Sequence, residues 1–140
     1  MRGMPTSADE AELDALAAAF FDLFTREDDG PVDLGAIHGM FLPEGLIVCV
    51  GPAGIVSYTV DSFVEPRLAL LNGGALTRFR EEEVDARTEI SGSIAQRVGT
   101  YRKWGTLSGE PFEGRGTKIF QFVKHRTGWK IVALTWEDEP

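Results

Sequence analysis

Residues 112–137 read FEGRGTKIFQFVKHRTGWKIVALTWE, and they carry more information about the fold than any other stretch. The β-branched and aromatic residues predict a strand at 117–124, a tight turn at 126–128 and a last strand at 129–137. The residues just before them, 108–116, are rich in glycine and predict a long linker. The chain is therefore expected to end in two strands joined by a tight turn.

The residues upstream predict helices first and more sheet afterwards. Apolar residues spaced along one helical face predict a helix at 8–28, and a short second helix runs from Asp33 until Pro43 stops it. Short strands at 46–50 and 55–59 come next, followed by a third helix that opens with a capping box at Ser62–Glu65. Long strands at 77–90 and 94–107 meet at the turn 91–93. Helices followed by an antiparallel sheet indicate the α+β class.

Length and composition are those of one ordinary globular domain. The chain has 140 residues, of which 43% are hydrophobic and 26% are charged. We expect residues 1–140 to form a single domain in which residues 1–6 are disordered. The net charge is −8, from 14 Lys and Arg against 22 Asp and Glu. This acidity argues against a nucleic-acid-binding protein, which would carry a basic face.

Cysteine usage and the N-terminal residues exclude other classes. Cys49 is the only cysteine, so the chain forms no internal disulfide, and one Cys with two His cannot build a metal site. The sequence shows no signal peptide and no apolar run long enough to span a bilayer. We therefore expect a cytoplasmic protein with no membrane partner, no metal and no other cofactor.

The two long strands predict which side chains face inward, provided that Gly92 and Ser93 form a two-residue turn. The inner face then carries five mainly apolar or small pairs, which are Ile90 with Ala95, Thr88 with Arg97, Ala86 with Gly99, Val84 with Tyr101, and Glu82 with Lys103. The other face is strongly charged, and it places Glu83 opposite Arg102. We expect that outer face to meet solvent or a second subunit.

Arg97 is the unusual residue of the inner face, because a desolvated arginine must find an anion or several acceptors. It could hold the carboxylate or phosphate of a ligand. It could also pair with Glu82 or another acid, or reach water at the rim. Glu82 and Lys103, near the open end, are expected to be rim charges.

Aromatic side chains from both layers are expected to line the space between the helices and the sheet. They are Phe20, Phe24, Phe41, Tyr101 and Trp136. Such a stripe is typical of a plain core, yet in a protein with a pocket some of its members also touch a ligand. His38, on the apolar stripe of the second helix, is expected at the core or its edge.

Taken together, these features resemble the nuclear transport factor 2-like superfamily, above all its SnoaL-like and ketosteroid-isomerase-like bacterial branches. The resemblance covers residues 8–138 and rests on the long first helix, Phe41, Tyr101 and the stretches 92–95, 113–117 and 129–132. It implies a cystatin-like α+β cone, in which a strongly curved antiparallel sheet wraps around N-terminal helices and leaves an internal pocket. It also implies a homodimer formed through the outer sheet face, which the charged pairs and Trp104 would serve.

The catalytic residues of known enzymes in this superfamily are missing from the matching positions. The base of ketosteroid isomerases would fall near Val48 or Cys49, and neither is a carboxylate. The tyrosine that these enzymes carry on the first helix would fall near Phe20 or Phe21. Sets built on pocket histidines, or on Asp, Arg and Asp together, are not reproduced either.

Three functions are consistent with these observations. The one we favour is a homodimer that binds a small, mostly apolar molecule, with an anionic group held by Arg97 and the aromatic residues around it. The second is an isomerase, cyclase or hydratase that uses general acid–base catalysis, with Tyr101, His38 and Glu82 as candidate catalytic residues. The third is an accessory domain that engages a partner chain and fills its cavity with its own side chains.

Overall fold

The computed structural model describes residues 7–27 and 31–140. Within these ranges the helices are α1 (Ser7–Asp22), α2 (Ile37–Met40) and α3 (Val60–Asn72). The strands are β1 (Phe41–Gly51), β2 (Gly54–Thr59), β3 (Leu76–Ser91), β4 (Ile94–Leu107), β5 (Glu110–His125) and β6 (Gly128–Asp138). None of the helices in these ranges is long and apolar enough to cross a bilayer.

The strands form one curved, unclosed sheet in the order β2-β1-β6-β5-β4-β3. Together with the helices it makes the predicted α+β cone, whose core includes Leu13 and Phe20 of α1 and Phe120 of β5. One pair departs from the predicted antiparallel sheet, because β1 and β6 run parallel. These two strands are far apart in the chain, so no hairpin turn sets their relative direction.

The first two helices are shorter than predicted. α1 ends at Asp22. Four residues later, Arg26 exchanges backbone hydrogen bonds with Phe79 at 2.8 and 2.9 Å, so this part of the chain pairs with the sheet. α2 has four residues, and β1 already begins at Phe41. Pro43 lies in an irregular part of β1, where a missing amide is tolerated. The predicted disorder of residues 1–6 and the predicted helix end at 28–30 lie outside the described residues.

The third helix begins earlier than predicted, and its cap is a different one. Ser62 N donates to Thr59 Oγ1 at 3.1 Å and Thr59 N donates to Ser62 Oγ at 2.9 Å. This reciprocal pair is a capping box one turn ahead of the predicted Ser62–Glu65 pair. The earlier start places Pro66 inside the helix.

The predicted linker at 108–116 is a tight turn followed by strand. Ser108 and Gly109 both have positive φ angles, 51° and 80°, and β5 begins at Glu110. Gly114 and Gly116 of β5 leave room for β4 side chains beside them. A Cβ at Gly116 would meet the Tyr101 ring, and one at Gly114 would meet Lys103. These glycines therefore permit packing within a strand and do not mark a loop.

The β3–β4 hairpin follows the predicted register for half its length. Its pairs run as predicted from Ser91 opposite Ile94 to Asp85 opposite Thr100. A β-bulge then inserts Val84, whose side chain points away from the core and is 62% exposed.

The predicted pairs of Val84 with Tyr101 and of Glu82 with Lys103 are therefore wrong. The structure pairs Glu83 with Tyr101 and Glu81 with Lys103. One extra residue exchanges the two faces of the strand beyond it. Glu83 and Glu81 now point into the cone, and Glu82, opposite Arg102, points to the outer face.

Candidate functional site

A cavity of about 410 Å³ lies between α3, the end of α1 and one end of the sheet. Its lining is mostly apolar and includes the side chains of Phe20, Phe24, Phe63, Leu71, Phe79 and Trp136. A water molecule takes up roughly 30 Å³ of liquid, so the space is far larger than one water needs. The polar part of the lining holds Arg67, Glu81, Lys103, Lys118, Asp138 and the thiol of Cys49.

Glu81 and Lys118 form a buried ion pair at the edge of this cavity. Lys118 Nζ lies 2.7 Å from Glu81 Oε1, and both side chains are almost fully buried. The opposite charges attract strongly at this distance, because burial removes most of the water that would screen them. The ammonium also lies 4.1 Å from the centroid of the Tyr101 ring and 5.2 Å from that of Trp136. Aromatic faces therefore replace part of the water that the charge has lost.

Asp138 accepts hydrogen bonds from both Tyr101 and Lys103 at the polar edge of the cavity. Tyr101 Oη donates to Asp138 Oδ1, and Lys103 Nζ donates to Asp138 Oδ2 at 2.8 Å. Burial raises the pKa of Asp138, but the hydrogen bonds and charges around it outweigh burial, so the pKa lies below its ordinary value. Burial and the neighbouring carboxylate raise the pKa of Tyr101 far above its usual range. Tyr101 is thus a neutral donor to an ionised carboxylate.

The structure places Arg97 outside the lining of the cavity. Its Nε and Nη2 donate to the two carboxylate oxygens of Glu83 at 3.0 and 2.6 Å. Its Nη1 donates to Asp14 at 2.7 Å and to Thr88 at 2.9 Å. The hydrogen bond to Glu83, opposed by burial and helped by Asp14, raises the pKa of Arg97. The guanidinium therefore ties α1 to the sheet through side chains of the protein itself.

The other residues predicted for a ligand site are divided between the cavity and the core. Phe20, Phe24 and Trp136 line the cavity. Phe41 is buried in the core, with its ring centroid 6.1 Å from that of Phe20. Tyr101 borders the cavity through its hydrogen bond to Asp138, which belongs to the lining.

The three candidate catalytic residues do not come together. His38 is exposed rather than at the core, and its Nε2 lies 3.6 Å from Asp61. Glu82 points to the outer face of the sheet, and Tyr101 points inward. Over the described part of the chain, no group of three or more His, Cys, Asp or Glu side chains is arranged to hold a metal ion. Burial raises the pKa of Cys49, which keeps its thiol neutral.

None of the six polar lining residues was predicted as a site residue. Lys103 was expected only as a rim charge, and the other charged ones are Arg67, Glu81, Lys118 and Asp138. The inward position of Lys118 could have been predicted from the sequence, because Lys118 shares the inward alternation of Phe120 and Phe122 in β5. Arg67 follows Phe63 by one helical turn, a spacing at which two side chains meet. The bulge at Val84 hid Glu81, since strict alternation places it on the outer face.

Comparisons by sequence find no relative. No protein-family model matches the chain, and no curated protein matches it significantly.

Comparison by structure finds clear similarity to solved proteins. A protein of unknown function with a cystatin-like fold from Nostoc punctiforme is 17% identical, with a TM-score of 0.70 over 99% of this chain and 96% of that one. A nuclear transport factor 2-like superfamily protein from Salmonella enterica is 14% identical, with a TM-score of 0.67 over 93% and 92%. A hexachlorocyclohexane dehydrochlorinase from Novosphingobium barchaimii is 16% identical, with a TM-score of 0.71 over 95% and 88%.

Identities this low carry information about the fold and not about the reaction. The structural likeness nevertheless extends over nearly the whole chain and agrees with the resemblance predicted from the sequence. The chain therefore has the cystatin-like fold of the nuclear transport factor 2-like superfamily.

Proposed function

We propose that this protein binds a small, mostly apolar molecule in the cavity beneath α3. The observation that carries the proposal is a space of about 410 Å³ with aromatic and aliphatic walls and a polar edge. Ligand pockets typically measure about 300–1,000 Å³ and combine apolar walls with a few polar groups. One structural neighbour is named for its action on hexachlorocyclohexane, which is itself a small apolar compound.

The geometry favours binding over the two alternative functions. A cavity filled by the protein's own side chains would leave little space, and this one is open. Acid–base catalysis needs a carboxylate or imidazole free to exchange a proton with the substrate. The lining carboxylates Glu81 and Asp138 each lie against a lysine, and His38 is on the surface.

The cavity can be tested by filling it. Cys49 lines the cavity, and Val50, the next residue of β1, points to the opposite face. We expect Cys49→Phe to weaken binding of the neutral fluorescent probe N-phenyl-1-naphthylamine by about tenfold or more, because the added ring occupies the pocket. The matched variant Val50→Phe should bind the probe like the wild type. Thermal unfolding of both variants shows whether the fold is retained.

Two results would contradict the proposal. The first is a wild-type protein that binds no apolar probe and carries no small molecule when purified from cells. The second is equal binding of the probe by folded Cys49→Phe and Val50→Phe, which would show that the probe binds on the outer surface.

We also expect a homodimer formed through the outer face of β4 and β5. Ile94 lies opposite Val123 and Val98 lies opposite Ile119. Ile94 and Ile119 are exposed although apolar, and Ile119 exposes 38% of its surface. An exposed apolar patch of this kind often marks an interface.

Sedimentation is the measurement for the dimer. The wild type should have the mass of two chains and Ile119→Lys the mass of one, because a buried ammonium in an apolar interface costs several kcal/mol. Ile55→Lys is the matched control, since Ile55 is 72% exposed on the edge strand β2. A wild type that sediments as one chain contradicts the expectation.

A further inference from the structure

Arg67 differs from the other cations of the cavity lining in the partners it has. Lys118 is paired with Glu81 and Lys103 with Asp138. In the described ranges, 7–27 and 31–140, no carboxylate lies within ion-pair distance of Arg67. Its hydrogen bond is a long one, 3.4 Å from Nη1 to the carbonyl oxygen of Phe63. The lining thus holds three cations and two carboxylates, and the uncompensated charge is on Arg67.

Aromatic rings hold this guanidinium in place. Arg67 Cζ lies 3.9 Å from the centroid of the Phe63 ring, 5.1 Å from that of Tyr58 and 5.3 Å from that of Trp136. Contacts of this kind stabilise a cation without using its hydrogen-bond donors. A guanidinium has five N–H donors on its edge, and one of them is used here. Arg67 therefore keeps most of its donors available beside an apolar cavity.

We infer that the ligand carries a single carboxylate, which Arg67 binds through the edge of its guanidinium. This inference rests on the proposed function and adds the chemical class of the ligand. The planar fork of an arginine matches a carboxylate with two parallel hydrogen bonds. The apolar walls then hold the rest of the molecule, so the ligand is an amphipathic monocarboxylic acid.

The charges around Arg67 favour a monoanion over a phosphate. Glu81 and Asp138 line the same cavity, and a second negative charge on the ligand would be repelled by both. Arg97 does not compete for the carboxylate, because Glu83, Asp14 and Thr88 occupy its donors.

The test compares each acid with its uncharged amide. We would measure binding of 2-naphthylacetate and decanoate, and of the two corresponding amides, by calorimetry and by the tryptophan fluorescence of the protein. The wild type should bind at least one acid about tenfold or more tightly than its amide, as expected for a charge-assisted bidentate contact. Arg67→Met should bind that acid no more tightly than the amide, and its affinity for the amide should stay within about twofold of the wild type.

Two further variants separate charge from packing. Arg102→Met is the matched control, because Arg102 also lies over an aromatic ring, 4.4 Å from the centroid of Trp104, but on the outer face. It should leave the preference for the acid unchanged. Arg67→Lys keeps the charge and loses the fork, so it should retain part of the preference. It also keeps the test decisive if Arg67→Met fails to fold.

The remaining outcomes would overturn the inference. Equal affinity of the wild type for acids and amides would do so, as would an equal loss of both in Arg67→Met. A naphthyl phosphate that binds more tightly than the carboxylate would replace the carboxylate with a phosphate. If neither acids nor amides bind while the neutral probe does, the carboxylate is wrong and the apolar site stands. If the neutral probe also fails to bind, the proposed function itself is wrong.

Discussion

Arg97→Met is expected to lower the free energy of unfolding by about 3–5 kcal/mol, because it leaves a mostly buried carboxylate without its counter-ion. Glu83, whose side chain is only 16% exposed, accepts two of the hydrogen bonds from Arg97. The hydroxyl of Thr88 also loses the hydrogen bond that Arg97 donates to it. Equilibrium unfolding in guanidinium chloride or urea measures the change directly.

Two matched variants identify the cause of that loss. Asp14→Asn removes the other carboxylate partner of Arg97, but Asp14 is 67% exposed, so the loss should be about 1 kcal/mol or less. The double variant Arg97→Met with Glu83→Leu removes both buried charges and should recover most of the stability. A loss in Arg97→Met no larger than that in Asp14→Asn would contradict the assignment of Arg97 as a structural residue.

The double variant Arg97→Met with Glu83→Leu also distinguishes the role of Arg97 from that of Arg67. It lacks Arg97 but keeps the fold and the cavity, so its affinity for carboxylates should equal that of the wild type. A folded double variant that no longer discriminates acids from amides would show that Arg97 contributes to binding.

Lys118→Met is expected to be as damaging as Arg97→Met, at about 3–5 kcal/mol, because Glu81 then remains buried and unpaired. Within the part of the chain that the structure describes, the surroundings of Lys118 offer Glu81 no other cation within ion-pair distance, since the rings of Tyr101 and Trp136 and a mostly apolar cavity wall lie next to the ammonium. Thermal and denaturant unfolding at neutral pH would measure the loss. Replacing the pair together, with Glu81→Leu and Lys118→Met, should restore most of it.

Lys103→Met is the control for this second prediction. Lys103 also lines the cavity and also pairs with a carboxylate, but both it and Asp138 are partly exposed. Its loss should stay near 1 kcal/mol, as for other solvent-accessible pairs. Equal losses in Lys118→Met and Lys103→Met would show that burial is not the deciding factor.

The sequence predicted the fold well because the fold depends on patterns that repeat over many residues. The alternation in β4 and β5 and the turn signals at Gly92 and Gly128 suffice for the β3–β4 and β5–β6 hairpins. Prediction failed where the local structure depends on a single contact with a residue that is distant in the sequence. Gly114 and Gly116 indicate a loop in the sequence, yet they face Lys103 and Tyr101 across a strand.

The candidate site was less predictable than the fold for the same reason. Phe20, Phe24 and Trp136 lie in the cavity lining as expected, whereas Phe41, expected there on the same grounds, does not. No local pattern announces the bulge at Val84, which brings Glu81 and Glu83 to the buried cations of β4 and β5. The carboxylates that pair with Arg97 and Lys118 can be identified only from the structure, in which β3, β4 and β5 lie side by side.

Val84 has a consequence for how this domain can vary in length. Its neighbours pair as they would in an unbroken hairpin from which Val84 had been deleted. A homologue lacking this residue would keep the same acids facing inward and would lose only the local bend that a bulge adds. A homologue with a second residue inserted here, and with both extra residues paired in the ladder, would place Glu81 opposite Gly105, two positions further along β4, and would leave Lys118 without its partner. Alignments of related sequences should therefore allow a one-residue gap at this position and penalise any other change of length in the strand.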